Sequence, residues 1–289
     1  MLRSLRIERR FLHWFMLTGA VCLLFYQPLI DLARLALNNS SFSHIGLIPL
    51  IFLYLVFQRR EALERTDGQG ASSAVVLGLL SLAVVAAALG LGGELNRTDQ
   101  LAVYVAGFVV AVWAVFVWRF GRDGVNQALF PLLFLLFMVP FPTYLLDQVV
   151  AALLWGSTIV TEQLFRLTGI PFFQDGYTFR LPGLAIEIAK ECSGIRSTMA
   201  LVITGLLAGQ MMLRTWWGRS TLILLLFPLA VFKNGLRIVT LSLLTIHVDR
   251  GFIEGDLHSR GGFVFFVITL CVMGVILWGI QKLEGRRAE

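Results

Sequence analysis

What most limits the possible folds of this chain is a series of apolar runs, each about 20 residues long and enough to cross a bilayer as a helix. Inside lipid, every backbone N–H and C=O must find a partner within the element itself, so such runs fold as helices. Reading for them gives about eight spans, near residues 11–30, 43–57, 71–92, 101–118, 127–146, 195–213, 220–246 and 262–281. The balance of residues agrees: 57% are hydrophobic and only 15% charged, where soluble domains carry about 25% charge. No polar stretch is long enough to bury a separate core. The expectation is an all-α polytopic membrane protein, one membrane-embedded domain over residues 1–289.

The net charge is +6, yet the basic residues do not gather into a nucleic-acid footprint. They fall in short loops between apolar runs. Arg3, Arg6, Arg9 and Arg10 precede the first span; Arg59, Arg60 and Arg65 follow the second; Arg119 and Arg122 follow the fourth. Arg214 and Arg219 separate the sixth and seventh, and Lys282, Arg286 and Arg287 lie at the end of the chain. These loops alternate on one side, so by the positive-inside rule both ends of the chain are cytoplasmic. The first run is too long for the apolar core of a cleaved leader. Three cysteines without CxxC or His/Cys ligand spacing give no metal or disulfide pattern, and no cofactor is implied.

The stretch from Asp147 to Glu191 must start and end outside on this topology. From Asp147 to Gly169 it turns amphipathic, with Thr158, Glu162 and Arg166 four apart on one face. We read an interfacial or re-entrant helix, a ninth full span being the alternative. From Pro171 to Ala189, glycines and a proline punctuate short apolar segments, and Tyr177–Leu181 against Ala185–Ala189 reads as an outer β-hairpin.

Three segments carry residues suited to chemistry, all at outer ends of spans. Glu191-Cys192-Ser193-Gly194-Ile195-Arg196-Ser197 begins the sixth. A thiol at a helix N-terminus is favoured as the thiolate by the helix dipole, and Lys190 and Arg196 act in the same sense. By contrast Cys22 and Cys271 sit mid-span and read as small core residues. Lys233-Asn234-Gly235-Leu236-Arg237 lies inside the seventh span, where charge is costly and usually functional or paired. Arg237 is about 25 Å along that helix from its cytoplasmic start, and Asn234 shares its face. Asp256-Leu257-His258-Ser259-Arg260-Gly261-Gly262 opens the eighth, with an imidazole able to take and give protons near neutrality. His44, in Ser43-His44-Ile45-Gly46, starts the second span on the same side, and Pro140-Phe141-Pro142 breaks the fifth.

Together, Glu191-Cys192-Ser193-Gly194, Asn234-Gly235-Leu236-Arg237 and His258 with its following glycines resemble the exosortase/archaeosortase family, over residues of about 40 to 280. Ser43-His44 and Pro140-Phe141-Pro142 also fit its pattern. The resemblance implies a transmembrane cysteine protease or transpeptidase of a bacterial inner membrane, acting at the outer, periplasmic face. Its partners would be exported proteins bearing a tripartite C-terminal sorting signal: a short motif often containing Pro-Glu-Pro, a transmembrane helix and a basic tail. It further implies Cys192 as nucleophile, Arg237 as oxyanion partner and His258 as acid/base. Asn234, Glu191, Ser193, Gly194, Arg196 and His44 would support them. A transporter and a noncatalytic envelope scaffold are the rival classes, and an acyltransferase using the same cysteine is open on residues alone. Against transport stand the lack of an inverted repeat and of an acidic relay within the spans.

Overall fold

The computed structural model describes residues 2–66, 68, 70–90, 92–190, 193–248 and 262–286. It is helical nearly throughout. Seven helices are long and apolar enough to cross a membrane, or eight with one bent pair counted as a span. Contacts divide the chain into two compact units, Met1–Leu145 and Leu146–Glu289.

In the first unit, α1 (Leu2–Leu24) and α2 (Tyr26–Asn38) meet at 79°. The expected straight span over 11–30 is therefore broken at Phe25. Pro28 explains the place: it has no N–H to donate to the carbonyl four residues back, and its ring crowds that carbonyl. Asn39 then caps a 3-10 segment, Ser40–Leu47, its side chain accepting from the Ser41 N–H. That segment runs into α3 (Ile48–Gln58), with Pro49 in its first turn where no N–H is needed. A short α4 (Arg60–Glu64) leads to α5 (Ala71–Gly90) and α6 (Arg97–Phe134), the latter capped by Asn96 accepting from the Asp99 N–H at 2.8 Å.

Although helical from end to end, α6 doubles back. Trp113 Nε1 donates to the Leu132 carbonyl at 3.1 Å; in a straight helix those residues would lie about 28 Å apart. Asn96 and Thr143 also meet, Nδ2 to Oγ1 at 3.1 Å. The reversal is at Gly121, whose φ of 64° and ψ of −167° suit only glycine. So α6 is a hairpin of two spans, as the charges Arg119 and Arg122 led the sequence to suggest. Farther along, Pro131 cannot donate to the Gln127 carbonyl, and Arg59 Nη1 donates there instead at 2.5 Å. The fifth span ends sooner than expected: helix stops at Met138, and the Pro140-Phe141-Pro142 segment separates it from α7. Trp14 meets Phe52 and Phe116 edge-on, and Phe120 packs tilted against Phe116, making an aromatic core. An apolar cavity of about 350 Å³ is lined by Cys22, Leu32, Phe52, Phe108 and Met138, among others.

The second unit holds most of α7 (Thr143–Thr168), a three-stranded meander, α8 (Ile195–Met212), α9 (Trp216–His247) and α10 (Gly262–Arg286). The helix expected to start at Asp147 starts four residues earlier, at Thr143. α7 is unbroken over 26 residues, with a mean hydropathy of 1.3 in its most apolar window, long and apolar enough to span. Thr158 and Thr161 face inward, whereas Asp147, Gln148 and Gln163 are exposed and Glu162 pairs with Arg166 at 2.6 Å.

Strands β1 (Phe173–Asp175), β2 (Thr178–Leu181) and β3 (Leu184–Glu187) form an antiparallel meander. Strands β2 and β3 form the expected hairpin with the register moved by one residue, Arg180 opposite Ala185 and Leu181 opposite Leu184, and β1 adds a third strand. Phe165 of α7 packs on Phe172 and Phe179, seating the sheet on the helix end.

Helices α8 and α9 pack antiparallel at close range. A Cβ placed on Gly205 would meet Leu226 at 2.7 Å, and one on Gly209 would meet Leu222 at 3.2 Å. The buried Glu284 of α10 holds the turn between them, accepting from the N–H groups of Arg214 at 3.0 Å and Thr215 at 3.1 Å and from the Thr215 hydroxyl. Leu201, Leu222, Leu226, Met273 and Leu277 fill the shared core. Cys271, expected in a core, is exposed on α10 instead.

Candidate active site

The polar centre of the second unit is built where α8 begins. Gly194 is its N-cap, held at φ 73°, a conformation that a side chain resists. The Gly194 carbonyl accepts from the Thr198 N–H, the Thr198 hydroxyl and the Ser197 hydroxyl, each at 2.9 Å. Just before it, Ser193 donates its N–H to the Lys190 carbonyl at 3.1 Å. The Ser193 hydroxyl is buried with no hydrogen-bond partner among the described residues. Lys190 pairs with Asp147 at 3.2 Å on the exposed side.

Helix α9 closes on this turn. A Cβ on Gly194 would come within 3.0 Å of Asn234 Oδ1, so both the conformation and the space demand glycine. Asn234 in turn donates to the Ser157 hydroxyl of α7 at 3.0 Å. Gly235 makes that approach possible: a Cβ there would meet Val160 Cγ1 at 2.6 Å. Beside Asn234, Lys233 is only 5% exposed and donates through Nζ to Ser197 Oγ. Such a buried cation costs at least ~2.5 kcal/mol on membrane-insertion scales and needs a polar partner. One turn on, Arg237 is half-buried, its Cζ 4.0 Å from the point where a Cβ on Gly262 would sit. Gly262 opens α10.

Three segments therefore meet: the first turn of α8, the Lys233–Arg237 stretch of α9 and the first residue of α10. Of the residues the sequence singles out, Gly194, Asn234 and Arg237 are brought to this centre, with Ser193 beside it. Arg196 is exposed, and His44 lies half-buried in the 3-10 segment of the first unit. Glu191, Cys192 and His258 lie outside the described residues; Ser193 and Gly262 are the described residues next after them in the chain. Among the described residues, no group of three His, Cys, Asp or Glu side chains is placed to hold a metal ion. Sequence reasoning gives no role to Ser157, Ser197 or Lys233. The signal for Lys233 was there, a charge inside an apolar helix; a serine in such a helix gives none.

Residues 32–275 match the family model of the transmembrane exosortases. The chain belongs to that family. Exosortases are transmembrane enzymes that process proteins bearing sorting signals, so this is a multi-pass membrane protein of that general class. The matched stretch takes in all three segments of the centre and His44. No curated protein and no solved structure matches the chain.

Proposed function

We propose that this exosortase is a cysteine transpeptidase or protease that cleaves the C-terminal sorting signals of exported proteins at the outer face of a bacterial inner membrane. The chain acts as one membrane-embedded domain with both ends cytoplasmic. Cys192 is the nucleophile, Arg237 the oxyanion partner and His258 the acid/base. One observation carries this reading: a chain of the exosortase family brings the α8 turn after Cys192, Arg237 of α9 and the α10 start after His258 to one centre.

The chemistry follows from the residue types. The Cys192 thiolate attacks a backbone carbonyl carbon of the signal, and the C=O electrons move onto oxygen. Arg237, always charged and rich in donors, stabilises that oxyanion. As the oxyanion collapses, the C–N bond breaks and the leaving amine takes a proton from His258. The thioester left on Cys192 is then attacked by an incoming amine or water, which gives its proton to the now neutral His258, and the thiolate leaves. Substrates are exported proteins whose signal joins a short motif, a transmembrane helix and a basic tail; the helix is held in lipid beside the enzyme.

The test is co-expression of a tagged protein carrying such a signal with wild-type enzyme or with Cys192→Ala. Loss of the tail with wild type alone supports the reading. Tail loss with both, or with neither when both proteins are in the membrane, contradicts it.

A further inference from the structure

We propose that Lys233 is a positioning residue: acting through Ser197, it fixes the glycine turn that opens α8. This inference rests on the reading of Cys192, two residues before that turn, as the nucleophile.

An ammonium group can only donate hydrogen bonds, and a serine hydroxyl has a single proton. Lys233 Nζ donates to Ser197 Oγ, so the Ser197 proton is left for one acceptor, the Gly194 carbonyl at 2.9 Å. The polarity of the relay from Lys233 to Ser197 to Gly194 is thereby set. Thr198 Oγ1 donates to the same carbonyl at 2.9 Å, and Asn234 bounds Gly194 from α9. Lys233 Nζ itself lies 3.7 Å from where a Cβ on Gly194 would sit. The turn is held at its carbonyl, at its Cα and along its helix.

Packing alone does not account for a lysine at this place. Lys233 is 5% exposed in an apolar helix, and no ion pair with it is found among the described residues. A methionine of similar length would fill the space without the cost of burying a charge. What the lysine adds is a fixed donor aimed at the first turn of α8. Reaction rates fall steeply when a nucleophile is misplaced by as little as 1 Å, which gives such a donor its value.

The experiment uses purified full-length enzyme in proteoliposomes, with a fluorogenic peptide carrying the sorting signal, and compares wild type with Lys233→Met, Ser197→Ala, Ser197→Thr and the Lys233→Met/Ser197→Ala double variant. Lys233→Met is expected to lower kcat by about 10-fold or more, with KM within about twofold. Ser197→Ala shares the defect, Ser197→Thr restores the hydroxyl and the rate, and the double variant is no slower than the slower single. Where Lys233→Met does not accumulate in the membrane, the Ser197→Ala and Ser197→Thr pair decides by itself. A Lys233→Met enzyme with wild-type kcat, losses that multiply in the double variant, or a Ser197→Thr enzyme as slow as Ser197→Ala would overturn the proposal. Cys192→Ala is run alongside: full processing there defeats the nucleophile reading itself, a failure distinct from that of Lys233.

Discussion

The Asn234 carboxamide donates to the Ser157 hydroxyl at 3.0 Å, across 77 residues of sequence, and both side chains are almost fully buried. This bond ties α7 to α9 at the level where Asn234 also bounds Gly194. An element that supplies none of the expected catalytic groups thus helps to shape the turn that follows Cys192.

Removing either partner leaves a buried polar group unsatisfied. Asn234→Ala is expected to destabilise the protein by about 1–3 kcal/mol. In a cycle with Ser157→Ala, the coupling should be about 0.6 kcal/mol, the average between polar side chains in a membrane bundle, and at most about 1.7 kcal/mol. Unfolding of the four proteins in mixed micelles measures it, and a coupling near zero would mean the two residues act separately.

Arg237 should behave differently, because it is half-buried at the edge of the centre. Arg237→Ala is expected to lower kcat by about 100-fold or more with little change in stability. Arg237→Lys should recover only part of it, since lysine lacks the planar fork of donors. Single-turnover cleavage assays check this, and wild-type kcat in Arg237→Ala would end the oxyanion assignment.

The hairpin within α6 rests on Gly121, at φ 64° and ψ −167°. Gly121→Ala should cost about 1–3 kcal/mol. Gly78→Ala, on α5 where an added Cβ meets nothing within 4 Å, should be neutral or stabilise by up to about 1 kcal/mol. Thermal denaturation of the two variants compares them; equal losses would count against a reversal at Gly121.

How much of this was legible in the sequence depends on the range of the forces involved. The spans at 71–92, 195–213 and 262–281 nearly coincide with α5, α8 and α10, because burial in lipid acts on each run by itself. The hairpin at Gly121 was legible from Arg119 and Arg122, charges that end a span. Strand β1 was missed because three residues are too few to show alternation. The start of α7 at Thr143 was missed because the fifth span was drawn as one apolar run to residue 146, across Pro140 and Pro142 where the helix breaks. Asn234 and Arg237 announced themselves as polar groups within an apolar run. Ser157 did not, since its role exists only once α7 lies against α9.

The proposed orientation gives a labelling pattern. With the native cysteines replaced, Tyr177→Cys, between β1 and β2, should react with an impermeant maleimide in spheroplasts. Arg65→Cys, after α4, should react only once the membrane is opened. Both native residues are exposed. The reverse pattern would invert the topology and put the centre on the cytoplasmic side.

The most direct test of the central claim is capture of the acyl-enzyme. Enzyme and tagged substrate are co-expressed, quenched in acid and resolved without reductant, with and without neutral hydroxylamine, which cleaves thioesters. The account predicts a substrate–enzyme band that hydroxylamine removes, that is absent from Cys192→Ala and that mass spectrometry assigns to Cys192. A substrate processed efficiently by Cys192→Ala, or a covalent adduct mapped to another residue, would contradict it.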